Sequence, residues 1–145
     1  MFNLLKTFLL ALAGFLYGAV LAVIGLVEAG AGHGSYVLIS LSSCPFLWVF
    51  QDAGAALFGA PILWCVVGIF LGGVKHRGRT TAFLITVLGH YASIAFCYSR
   101  GLFGEWSSLN AKELVLFGLG VYAAGQVALW VLFALGLRNP SAAGR

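Results

Sequence analysis

Charge is what this sequence has least of: Asp, Glu, Lys and Arg together make up 8% of its 145 residues, against roughly a quarter in an ordinary soluble domain. With 61% hydrophobic residues and a mean hydropathy of +1.02, a chain this small cannot hide its apolar surface from water. A soluble globular domain is therefore not expected, and lipid becomes the expected solvent for most of the chain. The eight basic residues are scattered between apolar segments rather than gathered in a stripe with exposed aromatics, which argues against a nucleic-acid partner. Their places suit membrane flanks.

Other absences remove whole classes of chemistry. Cys44, Cys65 and Cys97 form no Cys-x-x-Cys pair and no metal-ligand spacing, so neither a zinc site nor a dithiol redox centre is expected. No Gly-x-Ser-x-Gly elbow and no phosphate loop occur. Ser93, His90 and Asp52 make a triad only on paper, because the acid is expected at the outer surface and the other two inside a helix. No low-complexity tract, polar linker or repeat divides the chain, and one domain is expected.

What is present is four apolar runs of spanning length, at 7–27, 53–73, 80–98 and 114–137. As helices they cover roughly 28–36 Å, against a hydrocarbon core of about 30 Å. The first run is longer than a signal-peptide core, and although Val27-Glu28-Ala29 faintly resembles a cleavage site, a retained helix is expected. A fifth stretch, 36–50, carries Ser40, Ser42, Ser43 and Pro45 and is only about 22 Å long if helical.

Basic residues decide whether that stretch spans. With four spans, Lys6, Lys75, Arg77, Arg79, Arg138 and Arg145 are cytoplasmic and only Arg100 and Lys112 are outside, as the positive-inside rule asks. A fifth span would push the cluster from Lys75 to Arg79 outside while Lys6 stayed in. The expected fold class is accordingly an all-α integral membrane protein, a four-helix transmembrane bundle with an outer re-entrant or interfacial segment between helices 1 and 2, broken near Pro45. Tyr36, Phe46 and Trp48 suit the headgroup level there. Both ends of the sequence are expected in the cytoplasm, and small size with simple topology points to a bacterial inner (plasma) membrane.

Helix faces supply the candidate residues. Ala11, Gly14, Gly18, Ala22 and Gly25, and Gly68 with Gly72, form small-residue stripes, read as packing within the bundle in preference to a dimer face. Thr86, His90, Ser93 and Cys97 fall on one face of the third helix, which cannot meet lipid cheaply. Tyr17, Tyr122 and Gln126 lie at similar depth, so a polar layer near the midplane is expected, with His90 touching Gln126 or Tyr122.

That layer is a ligand or proton path in one reading, with His90 as relay, haem or metal ligand, or contact for a lipid-like substrate. In the other it is hydrogen-bonded glue that fixes helix register. Pro61, Cys65, Gly68 and Gly72 share a face of the second helix, where a kink at Pro61 could open a pocket. On the outer side Glu28, His33, Asp52 and Glu105 form a candidate cation site, for which solvated loop charges are the preferred reading. Cys44 and Cys97 sit near the outer boundary and allow a disulfide in an oxidising compartment.

No catalytic constellation and no metal site emerge, and the sequence points to no particular cofactor. The expected role is an accessory or assembly subunit acting through helix packing, with a membrane-protein partner or a second copy. The alternatives are a small transporter or channel-like protein with its path at His90 and Gln126, and a membrane enzyme acting on a lipid or quinone.

Overall fold

The computed structural model describes residues 2–30, 44–49, 53–99 and 111–137. These are all-helical, with no strand among the described residues. The long elements are α1 (Phe2–Gly30), α2 (Ala53–Gly73), α3 (Arg79–Ser99) and α4 (Ala111–Leu137), with single 3-10 turns at Leu47–Val49 and His76–Gly78. Each helix covers one of the apolar runs of the sequence. The stretch Leu4–Val27 of α1 is long and apolar enough to cross a membrane, with a mean hydropathy of 2.4, a length and composition that signal sequences and buried core helices share. Leu57–Gly73 and Tyr122–Leu137 are apolar but shorter.

The closest helix pair is α1 with α2. A Cβ at Gly14 would collide with the Trp64 carbonyl, one at Gly18 would lie 2.6 Å from the Ala60 oxygen, and one at Gly68 would collide with the Leu10 carbonyl. Each four-residue advance along α1 matches a four-residue retreat along α2, so the two are antiparallel. The missing side chains let the backbones approach to within backbone contact, where many weak dispersion attractions add up. The small-residue stripes are thus spent inside the chain. Pro61 does not interrupt α2; it packs at Gly18, so the expected kink pocket on that face is filled by α1.

Trp64, Leu71 and Leu129 are fully buried and centre the core, with Leu10, Leu57, Ala60 and Val67 around them. Phe83 of α3 stacks on Phe133 and Trp130 of α4, ring centroids 4.5 and 4.9 Å away, and ties the last two helices together. Between α2 and α3 the chain turns tightly, the Gly78 N–H donating to the Lys75 carbonyl at 2.8 Å.

Within the fifth apolar stretch, the described part turns at Cys44–Phe46 and then forms the 3-10 turn Leu47–Val49. Phe46, directly after Pro45, has φ of 63°, a left-handed conformation that costs a non-glycine residue about 1–2 kcal/mol. Docking onto α3 offsets that cost. The Phe46 N–H donates to the Gly89 carbonyl at 3.2 Å, and the Leu47 N–H to Ser93 Oγ at 2.8 Å. Gly89 has no side chain because the Phe46 ring lies there; an added Cβ would sit 2.6 Å from Phe46 Cζ. Tyr36 lies outside the described residues, as does the side chain of Trp48.

Candidate functional site

The polar stripe of α3 turns inward. Thr86, His90 and Ser93, spaced by four and three residues, are all fully buried, as a 3.6-residue period requires if one face turns inward. Thr86 Oγ1 donates to the Phe83 carbonyl one turn back at 2.7 Å. Ser93 Oγ donates to the Gly89 carbonyl at 2.9 Å while accepting from Leu47 N–H. Both hydroxyls therefore work within the fold, and Ser93 is the post on which the 44–49 segment hangs. The Cys97 side chain lies outside the described residues.

His90 faces the fourth helix. Its ring lies 5.2 Å from that of Tyr122, centroid to centroid, inclined by 55°. Tyr122 in turn donates its hydroxyl proton to the Tyr91 hydroxyl at 2.5 Å, and the Tyr91 ring stands edge-on to His90 at 6.2 Å. Tyr91 is missing from the sequence-derived set. Adjacent residues on a helix point about 100° apart, so periodicity assigned Tyr91 to another face, and only the rotation of α4 brings Tyr122 between the two.

Gln126, one turn beyond Tyr122, has its side-chain nitrogen buried with no hydrogen-bond partner among the described residues. Tyr17 packs edge-on against Trp64, centroids 4.8 Å apart at 82°. The expected layer is thus seen as two aromatic groups, His90–Tyr122–Tyr91 at the seam of α3 and α4, and Tyr17–Trp64 at that of α1 and α2.

A groove of about 440 Å³ runs between α1 and α4, lined by Ala13, Tyr17, Ala124, Val127, Ala128 and neighbouring apolar residues. A smaller one of about 230 Å³ lies under Phe46 between α2 and α3, with Thr86 in its wall. Both are walled almost wholly by carbon, which suits acyl chains or apolar side chains rather than a polar substrate.

Of the outer cation site, His33, Asp52 and Glu105 lie outside the described residues, as does the side chain of Glu28. No group of three or more His, Cys, Asp or Glu gathers among the described residues. Of the allowed Cys44–Cys97 disulfide, only the Cys44 side chain is among the described residues. Cys44 is a free, fully buried thiol whose sulfur lies 4.0 Å from the Ala60 carbonyl of α2 and 3.8 Å from the Pro45 carbonyl. The turn at Pro45 aims it at α2. Cys65 is also free.

At the opposite end of α3, Arg79 is buried, with Nε donating to the Val74 carbonyl at 3.1 Å. Arg79 Nη1 and Lys6 Nζ both donate to the carbonyl of Gly136 in the last turn of α4. Nothing in the sequence pattern links these three residues.

Comparison with protein-family models, curated proteins and solved structures finds no match to this chain.

Proposed function

We propose that the chain is a four-span membrane protein, with both ends of the sequence in the cytoplasm and segment 44–49 folding back from the outer side. In this reading it is an accessory or assembly subunit that acts through helix packing, in a bacterial inner membrane. The membrane part is supported by what the helices expose. Phe8 is 64%, Phe58 73%, Leu88 68% and Val127 61% exposed, one large apolar side chain from each helix. Water would penalise such a surface at roughly 25 cal/mol per Å², and lipid would not. The helices have 21 to 29 residues, at least about 31 Å of length each, of which, among the described residues, the α1 stretch Leu4–Val27 is the one apolar enough over its length to cross.

The observation that carries the assembly role is the fate of the α3 stripe. Its hydroxyls are engaged with backbone, and His90 is closed over by Tyr122, the pattern of a polar layer that fixes register and leaves the outer faces for partners. Copurification of the tagged full chain from native membranes tests it. A stoichiometric membrane-protein partner is expected; a lone chain retaining a small molecule would replace this reading with the next.

That second reading is a transporter or channel-like protein with a polar path at His90 and Gln126. It is favoured by the buried Gln126 nitrogen, since an amide N–H in a low-dielectric interior costs free energy until something accepts from it. Its test is His90→Gln: folding retained with biological activity lost supports the path, and both retained makes His90 a structural residue.

A further inference from the structure

Four of the five described basic residues gather at one end of the bundle, and the fifth, Lys112, lies at the start of α4, the other end. Lys6 near the start of α1, Lys75 and Arg77 in the turn after α2, and Arg79 at the start of α3 all occupy the end of the bundle where α4 finishes. The described acids are elsewhere along the chain: Glu28 is in the last turn of α1 and Glu113 in the first turn of α4, both at the far end of their helices. Lys6 and Arg79 converge on one acceptor, the Gly136 carbonyl.

Capping the α4 C-terminus explains part of this arrangement, because cations there complement the helix dipole. It does not explain the amount of charge. The dipole end carries about half a negative elementary charge, against two full cations on one oxygen and two more, Lys75 and Arg77, exposed beside them. The start of α3 adds a positive dipole end, which favours an anion, and Thr80 and Thr81 beside it are exposed.

We infer that Lys6, Arg79, Lys75 and Arg77, with the start of α3, form a binding site for a phosphate-bearing anion, and that its occupant is the headgroup of an anionic phospholipid. The inference rests on the membrane reading above and is independent of the assembly role. Buried Arg79 and half-buried Lys6 are anchored by the Gly136 carbonyl, so their charge acts from a fixed position, while the exposed Lys75 and Arg77 form the rim that meets the headgroup. The site lies at the mouth of the bundle, where the phosphates of the cytoplasmic leaflet sit.

The test uses the full chain reconstituted in phosphatidylcholine vesicles with and without phosphatidylglycerol, then extracted in mild detergent for native mass spectrometry. Retention of phosphatidylglycerol over phosphatidylcholine is expected. Each basic residue removed should lower that preference about fivefold, in Arg77→Gln and Lys75→Gln, which touch no helix cap, as well as in Lys6→Gln. Inorganic phosphate added to the phosphatidylcholine sample is the third arm. If phosphate binds, and binding falls in the same variants, the phosphate chemistry stands with a soluble source. Equal retention of the two lipids with no phosphate binding would overturn the site and leave Lys6 and Arg79 as caps of α4. A chain that does not float with phosphatidylcholine vesicles would instead overturn the membrane reading.

Discussion

The substitution Gly18→Ala tests the tightest seam in the molecule. Its new Cβ would lie 2.6 Å from the Ala60 carbonyl oxygen and 2.6 Å from Pro61 Cα, where ordinary contact begins at 3.4 Å. The shortfall is about 0.8 Å, and both neighbours are backbone atoms of a continuous helix, so no side chain can rotate out of the way. The helices must part by about that amount. A gap of roughly 0.5–1 Å forfeits a quarter to a half of a dispersion well, and overpacking of this kind costs about 1–3 kcal/mol. Gly73→Ala is the control, since a Cβ there meets nothing within 4 Å, and replacing a helical glycine by alanine is worth up to about 1 kcal/mol in its favour. Unfolding of the full chain in detergent, followed by circular dichroism, should rank Gly18→Ala clearly below the parent and Gly73→Ala at or above it. Equal stabilities of the two variants, within about 0.5 kcal/mol, would refute close backbone contact between α1 and α2.

Ser93→Ala should leave the Leu47 N–H buried without its acceptor at a cost of about 1–3 kcal/mol; hydrogen exchange at Leu47 should quicken, and unchanged exchange would show that the segment is held by other contacts. Cys44 should resist a membrane-permeant maleimide in the folded chain and react on unfolding, because its sulfur is enclosed between Pro45 and α2; rapid labelling of the native protein would contradict that placement. A double-mutant cycle of His90→Ala with Tyr122→Ala should show coupling of about 0.5–1.5 kcal/mol, the usual size for a close ring pair. Strictly additive losses would mean that the 5.2 Å ring approach carries no energy.

Local signals in the sequence reach some of these features and not others. The helices follow from the length of the apolar runs, and the burial of Thr86, His90 and Ser93 follows from their 3.6-residue spacing, because one helix face is a local property. The turn at Pro45 follows from proline chemistry. Contacts that depend on how one helix is rotated against another are not written locally. Tyr91 adjoins His90 in sequence yet is joined to Tyr122 only because α4 lies in that seam. Tyr17 shares a depth with His90 and packs instead on Trp64. Gly89 reads as an ordinary helical glycine until the Phe46 ring is seen to occupy the place of its side chain. Lys6, Arg79 and Gly136 come together from three helices, and their convergence belongs to the assembled bundle.

The central claim, four spans with both ends of the sequence inside, is tested most directly by topology reporters placed after Arg79, after Arg145 and at Gly104. The six-to-two division of basic residues predicts cytoplasmic signals at the first two positions and an external signal at Gly104. A cytoplasmic signal at Gly104 would contradict it.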